Sequence, residues 1–160
     1  MGRVPGLAIA ASLLILIPLA AGCGGPTMPD RPAPVSVSVQ PAQVFAGGPN
    51  RATFTLRVAN TSSTAVDLTF PSSCQVLSYF IDMRTSRPVT PLGGGFACLT
   101  VITSRQLTSG ESFADVVSIK SGAAPESGFV VLPPGTYAIY ARLEDQTYRA
   151  QSDRLMFTLE

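Results

Sequence analysis

The chain has 160 residues, with 11 basic and 10 acidic side chains and a formal net charge of +1. That length suits one domain behind a short leader, and a near-neutral chain whose basic residues are scattered offers nucleic acid no attractive surface. Histidine is absent, so the commonest general base and the commonest metal ligand are both missing. We therefore expect no nucleic acid partner, no metal and no cofactor.

An apolar run opens the chain. Leu7 to Ala21 is apolar or small throughout, and Arg3 supplies the positive charge before it. This order is typical of an export signal, and the run is too short for a comfortable transmembrane helix. It ends in Leu-Ala-Ala-Gly-Cys at residues 19–23, which resembles the lipobox of bacterial lipoprotein signals. The resemblance implies cleavage before Cys23 and lipid on its sulfur; the alternative is an ordinary secretory signal with a cysteine near the cut.

This leader divides the chain into three predicted regions. Residues 1–22 are the signal peptide, residues 23–34 are the lipidated N-terminus and a proline-rich linker, and residues 35–160 are the folded domain. Four prolines stand between Pro26 and Pro34. Such a stretch favours an extended tether that reaches on the order of 25–30 Å.

The lipobox also predicts a location. We expect membrane lipid on Cys23, with more than one acyl chain because a single chain gives only marginal binding. The protein would then lie in the cell envelope, on the extracytoplasmic side of a bacterial membrane. Gly24, rather than the aspartate that often retains lipoproteins at the inner membrane, follows the cysteine, which favours the outer membrane if the cell has one.

From Val35 onward, apolar and polar residues alternate with a period of two, which is typical of strands with one buried and one wet face. The predicted strands are Val35–Val39, Phe54–Val58, Val66–Phe70, Val76–Met83, Leu99–Leu107, Ser112–Ile119, Thr136–Leu143 and Arg154–Leu159. Turn-forming residues separate them, and no stretch has helical spacing. The pattern predicts an all-β fold, an antiparallel immunoglobulin-like β-sandwich of about seven to nine short strands.

Two cysteines remain besides the one in the lipobox, Cys74 and Cys98. In an oxidising compartment an even pair favours a disulfide, which the chain-entropy model values at roughly 3 kcal/mol for a loop of this length. A redox site or half of a metal site are the alternatives, and the chain has neither a Cys-x-x-Cys motif nor a histidine to support them. We expect a structural bridge.

A tight turn introduces one of the last strands. Leu132-Pro-Pro-Gly-Thr-Tyr137 resembles the tyrosine corner of immunoglobulin-like sandwiches, in which the tyrosine hydroxyl bonds back to the backbone of the preceding connection. The alternative is a tyrosine that packs on a strand face. Because Pro-Pro-Gly fixes the chain where a corner needs it, we predict the corner at Tyr137.

An ordered series of segments runs through the domain. Its members are Phe54–Asn60, Val66–Ser73 with Gln75, Tyr79–Asp82, Phe96, Leu107–Glu111 and Leu132–Tyr137. In this order and spacing they resemble the BsuPI-type intracellular proteinase inhibitor domain. The resemblance covers roughly Thr53 to Leu159, and it implies an immunoglobulin-like β-sandwich that inhibits proteinases.

Enzyme chemistry has few candidate residues here. Glu144 and Asp145 are the only adjacent acidic residues. We expect them to be solvated charges at a hairpin tip, because acid–base pairs need burial to separate their pKa values. No serine lies in a Gly-x-Ser-x-Gly elbow, and Gly93 to Gly95 lack the Lys-Ser/Thr of a phosphate loop. The sequence therefore predicts a protein that is not an enzyme.

The longest predicted irregular stretch is Thr85–Ala97, and long loops are often functional. A bridge at the following cysteine would hold its far end, and such preorganisation lowers the entropy lost on binding. The candidate interaction residues in this stretch are Arg87, Pro88, Leu92, Gly93 and Phe96. A flexible insertion without a partner is the alternative for this stretch, and Ser121–Gly128 is a second, shorter candidate that no bridge would hold.

Two functions are compatible with these features. The first is a membrane-anchored, non-catalytic interaction module that binds an unidentified envelope protein, through its loops or by adding a strand to an open sheet edge. The alternative is a proteinase inhibitor that acts through the 85–97 loop.

Overall fold

The computed structural model describes residues 33–43, 50–94 and 96–160. The predicted signal peptide (1–22), Cys23 and the tether up to residue 32 lie outside this part of the chain. Lipid attachment and the tether therefore stay predictions.

The described residues form ten β-strands and no helix, so the all-β prediction is confirmed, with slightly more strands than the expected seven to nine. The strands are β1 (Val35–Gln43), β2 (Arg51–Asn60), β3 (Val66–Phe70), β4 (Val76–Asp82), β5 (Arg87–Val89), β6 (Thr103–Leu107), β7 (Ser112–Ser121), β8 (Val130–Leu132), β9 (Gly135–Leu143) and β10 (Leu155–Leu159).

Most of these strands belong to two four-stranded sheets. The first has the order β1-β2-β7-β8, the second has the order β10-β9-β4-β5, and β3 pairs with β6 alone. All neighbours are antiparallel except β7 and β8. With β1, β2 and β7 taken as strands A, B and E, and β4, β9 and β10 as C, F and G, these six strands have the order of an immunoglobulin-type sandwich. β8 departs from that order, because it follows β7 in the chain and is parallel to it.

The period-two alternation places one face of each sheet in a shared core. In β2, Phe54 and Leu56 are buried, and in β9 so are Tyr137 and Ile139. The ring of Phe157 in β10 meets the ring of Phe54 edge-on, with centroids 5.1 Å apart. Aromatic and aliphatic side chains from both sheets thus form one apolar layer, which is the main stabilising feature of such a sandwich.

Three local predictions are wrong. The strand expected at Leu99–Leu107 begins only at Thr103, because the preceding segment bonds to the chain just before β4. Arg87–Val89 was expected to be irregular and instead forms β5 on the end of β4. Val130–Leu132 was not predicted as a strand and forms β8, a three-residue element too short for alternation to reveal.

Buried polar side chains brace the turns at the ends of the strands. The amide Nδ2 of Asn60, at the end of β2, donates to the carbonyl oxygens of Thr64 (2.7 Å), Leu107 (3.0 Å) and Thr108 (3.1 Å). Its Oδ1 accepts the backbone N–H of Ser62 at 2.9 Å. One buried side chain therefore ties together the turn after β2 and the turn after β6.

The loop after β9 is braced in the same way, which corrects an expectation. Asp145 was expected to be solvated together with Glu144, but Asp145 is only 5% exposed and Glu144 is half-buried. The carboxylate of Asp145 accepts the backbone N–H groups of Thr69 (2.5 Å), Thr147 (2.8 Å) and Tyr148 (2.6 Å). We call the connections held by Asn60 and Asp145 the braced turns.

Tyr137 stands at the entry to β9. Its hydroxyl donates to the carbonyl oxygen of Pro133 at 2.8 Å, which is the contact that defines a tyrosine corner. Burial raises the pKa of this hydroxyl above its usual value. The Pro-Pro-Gly turn is thereby fixed to the strand that follows it.

Candidate interaction site

A disulfide fixes the loop between β5 and β6 to the start of β4. Cys74 and Cys98 are bonded, with their Cα atoms 5.4 Å apart, so the predicted bridge is confirmed. Next to it, the backbone N–H of Ser73 donates to the carbonyl of Leu99 at 3.0 Å, and the N–H of Leu99 donates to the hydroxyl of Ser73 at 2.9 Å. The bridge and these two hydrogen bonds hold the loop in one place.

The five predicted interaction residues are distributed over this region. Arg87 and Pro88 are exposed on β5, where they pair with the end of β4. Leu92 is half-buried, and its N–H donates to the carbonyl of Val131 at 2.9 Å. Phe96 is exposed, and only this residue of the five presents a large apolar side chain to solvent.

Gly93 explains how the two predicted loops come together. Its φ is +92°, and a Cβ at this position would lie 2.9 Å from the Cβ of Pro125. Both the backbone angle and the close approach require glycine. The two candidate loops, 85–97 and 121–128, therefore pack against each other at Gly93 and Pro125. The sequence alone does not connect them.

The most exposed apolar side chains were missed as candidates. Leu99 is 71% exposed and Ile102 is 73% exposed, and Val101 and Phe96 are also exposed. We call residues 96–102 the apolar loop. Sequence alternation assigned most of them to a strand, and only their position beside Cys98 could have marked them as part of a bridged loop.

Two adjoining grooves flank the apolar loop. One, of about 350 Å³, lies between residues 91–94 with Phe96 on one side and residues 125–127 with 129–130 on the other. The other, of about 390 Å³, lies between the start of β4 and the middle of β7. Phe96, Phe129 and Val130 line both, so the two grooves form one concave surface with an apolar centre.

Charges at the first groove are largely neutralised. Lys120 forms an ion pair with Glu126, and its hydrogen bond lowers the pKa of that carboxyl. The guanidinium of Arg51 lies 4.9 Å from the centre of the Phe129 ring, in a cation–π contact. The surface thus offers a partner apolar contact rather than a strong field of one sign.

Residues 33–43, 50–94 and 96–160 contain no group of three or more His, Cys, Asp or Glu side chains that could hold a metal ion. In this same part of the chain, no helix has the length and apolar character needed to cross a membrane.

The chain matches no protein-family model and no curated protein sequence. Among solved structures, it is similar to part of a β-glucosidase from Erythrobacter marinus (18% identity, 80% of this chain and 16% of that one, TM-score 0.43). It is also similar to part of β-glucuronidase 2 from Bacteroides uniformis (14%, 78% and 13%, TM-score 0.37) and of a β-D-glucoside glucohydrolase from Trichoderma reesei (22%, 79% and 18%, TM-score 0.36). The chain spans less than a fifth of the length of each.

Proposed function

We propose that this protein is a lipid-anchored, extracytoplasmic interaction module that binds another protein without catalysis. The observation that carries the proposal is the apolar loop, where Leu99 and Ile102 are highly exposed on a segment held by a disulfide. Exposed apolar groups on a fixed surface mark sites of protein association, and fixing them in advance lowers the entropic cost of binding.

The anchoring part of the proposal rests on the sequence. Leu-Ala-Ala-Gly-Cys at residues 19–23 and the proline-rich stretch that follows support an acylated Cys23 and a position on the outer side of a bacterial membrane. A protein that leaves the cytoplasm also explains a structural disulfide. A mature protein that partitions into the aqueous phase of a detergent extraction contradicts the lipid anchor.

A photo-crosslinker at Val101, introduced in the native host, tests the interaction. We expect a discrete adduct with an envelope protein. The adduct should disappear when Leu99→Ser and Ile102→Ser are combined. Met156→Ser is the matched control, because Met156 is also a large exposed apolar residue but lies on β10. An adduct that survives the double change, or that disappears equally in the control, contradicts the proposal.

A second candidate function is proteinase inhibition, as in the BsuPI-type domain that the sequence resembles. The disulfide-held loop favours it, because inhibitors present a constrained segment to the proteinase. If the protein inhibits, we assign the contact to Leu99 and Ile102 rather than to Arg87 or Leu92, since Leu92 is tied to β8. Kinship with that domain is part of this second proposal.

Titration against a panel of serine proteinases separates the two functions. A stoichiometric loss of turnover that is abolished by Leu99→Ser with Ile102→Ser supports inhibition through the apolar loop. Full proteinase activity at high molar excess rejects inhibition and leaves the interaction module.

A further inference from the structure

The first sheet has a vacant position beside β7. On one side β7 pairs with β2 along nearly its whole length. On the other side β8 pairs with only three of its ten residues, Ile119–Ser121. Among the described residues no strand pairs with that side of Ser112–Ser118. Ala114, Asp115 and Val116 are all exposed, whereas in a covered strand only alternate residues reach solvent. We call this side of Ser112–Ser118 the open edge.

The second groove runs along the open edge and reaches the core. Its floor includes Leu56, and its far wall is the start of β4, from Val76 to Ser78. Ser78 is only 2% exposed, and its Oγ has no hydrogen-bond partner among the described residues. A buried hydroxyl without a partner is uncommon and costly. This hydroxyl is closed off from solvent, so it lies behind the groove wall and offers a bound molecule no contact.

Asp115 gives the groove a charge. It lies directly opposite Leu56 in the β2–β7 register, and opposite residues of an antiparallel pair project to the same face. Its carboxylate is therefore on the core side of the sheet, and it is the only charged side chain among the described residues that line this groove. Its Oδ1 accepts the backbone N–H of Val116 at 2.8 Å, so a backbone donor of β7 is occupied by the protein's own carboxylate.

We propose that the open edge receives an extended strand from a partner protein, apolar at alternate positions and carrying a lysine or arginine that meets Asp115. This inference rests on the proposed interaction function and specifies the form of its partner. Backbone hydrogen bonds to an edge provide affinity in such complexes, and pockets for alternate side chains provide specificity.

The groove accounts for each part of this partner. The open edge has seven residues, the ten of β7 minus the three paired with β8, which is room for about 23 Å of extended chain. Leu56, Phe96 and Phe129 offer apolar contacts to every second side chain. A partner cation draws the carboxylate of Asp115 away from Val116 and leaves that N–H to pair with the incoming backbone.

Selection from a phage-displayed library of random ten-residue peptides tests the inference. The full chain, held in a mild detergent, is the target. We expect enriched peptides to alternate apolar and polar residues around a central lysine or arginine. The best peptide is then measured by fluorescence anisotropy, beside a version with alternate backbone amides N-methylated, which should bind at least tenfold more weakly. Equal binding of the two versions overturns strand addition.

Variants of the protein complete the test. Asp115→Lys should weaken binding of the selected peptide at least tenfold and reverse its preference when the central cation is replaced by glutamate. Asp153→Lys makes the same charge change at another exposed site and should leave binding within twofold. Ser78→Ala should leave binding within twofold and melt no lower than the wild type, because this hydroxyl lies behind the groove wall. Equal losses in both charge variants, or none in Asp115→Lys, reject the assignment.

The outcomes separate this inference from the function on which it rests. No enriched peptide, or association of the chain with itself through the open edge, overturns the strand partner. If the crosslink at Val101 still depends on Leu99 and Ile102, the interaction function stands and only the form of the partner is wrong. If that crosslink is absent as well, the proposed function has failed.

Discussion

The braced turns and the groove at the open edge differ in how their buried polar side chains are hydrogen-bonded. At the braced turns, Asn60 and Asp145 are buried and each makes at least three hydrogen bonds to the backbone. In the groove beside the open edge, Ser78 is buried with no hydrogen-bond partner among the described residues, and Val116 on the edge itself is 60% exposed. The first arrangement stabilises one conformation of the chain. The second leaves interactions unmade, which is the property that a surface needs if another molecule is to complete it.

The largest expected effect comes from replacing Asn60, one of the two side chains that hold the braced turns. Asn60→Ala removes the side-chain partner of the Leu107 and Thr108 carbonyls and of the Ser62 N–H, whereas the Thr64 carbonyl keeps a bond from the Ser62 hydroxyl. We expect the free energy of unfolding to fall by about 3–4 kcal/mol, because the buried carbonyl of Leu107 then lacks this donor and the two turns lose the side chain that joins them. Urea denaturation measures it. Thr61→Ala, at the exposed neighbour whose hydroxyl bonds to Ala33 and Pro34, is the control and should change stability by less than about 0.5 kcal/mol. Equal effects contradict the bracing role.

The disulfide belongs to the interaction region rather than to the braced turns, because it holds the apolar loop and not the core. Replacing Cys74 and Cys98 with serine together should lower the free energy of unfolding by about 3 kcal/mol, measured in urea. Hydrogen exchange should then quicken at residues 96–102 before it does at β9. If exchange quickens uniformly, the bridge stabilises the whole domain and not this loop in particular.

Replacing each of two buried serines with alanine should change the free energy of unfolding in opposite directions. Ser78→Ala removes a hydroxyl that has no partner in the part of the chain that the structure describes, so we expect a gain of about 1 kcal/mol in unfolding free energy. Ser152→Ala is the matched variant: its hydroxyl is also buried but accepts the N–H of Ala141 at 2.9 Å and donates to the carbonyl of Asp153 at 2.7 Å. We expect a loss of about 1–2 kcal/mol there. Thermal melts of both variants measure the two changes in stability. Changes of the same sign contradict the distinction between the two serines.

The smallest expected effect concerns an exposed acid at a turn. Glu111 accepts the backbone N–H of Thr108 at 2.8 Å, and this bond, followed by one from the Thr108 hydroxyl, lowers its pKa below 4.5. A carboxyl with a lowered pKa in the folded state stabilises the fold above its unfolded value, near pH 4.5, and loses this effect as the pH falls through the folded value. The urea midpoint of Glu111→Gln should therefore lie below wild type at pH 7 and approach it as the pH falls below 4.5. A gap that stays constant with pH contradicts this coupling.

Much of the fold followed from short-range pattern. Alternation identified the long strands because each has one buried and one wet face, as in Phe54 and Leu56 of β2. The disulfide could be inferred because only two cysteines were available outside the lipobox. The tyrosine corner at Tyr137 could be predicted for a similar reason, since the Pro-Pro-Gly turn restricts the backbone conformation at the start of the strand that follows it.

The features that were missed depend on distant contacts. Leu99 is bonded to Ser73 across the disulfide, and this prevents the strand that its apolar neighbours suggested. Asp145 is buried because it accepts the N–H of Thr69, in β3. The open edge exists only because β8 stops after three residues. A local sequence pattern carries no information about such long-range contacts. These contacts determine the geometry of the candidate site.

Folding this domain requires closure of long segments of chain. Thr53 and Ser118, whose hydroxyls lie 3.5 Å apart, are separated by 65 positions, and so are Tyr79 and Glu144, which join β4 to the end of β9. Long-range pairing of this kind folds in milliseconds to seconds. During that time β7 is an unpaired strand that other copies of the chain can capture. A charge that points inward at an edge disfavours such capture, so we expect Asp115 to disfavour pairing between copies of the chain while it folds.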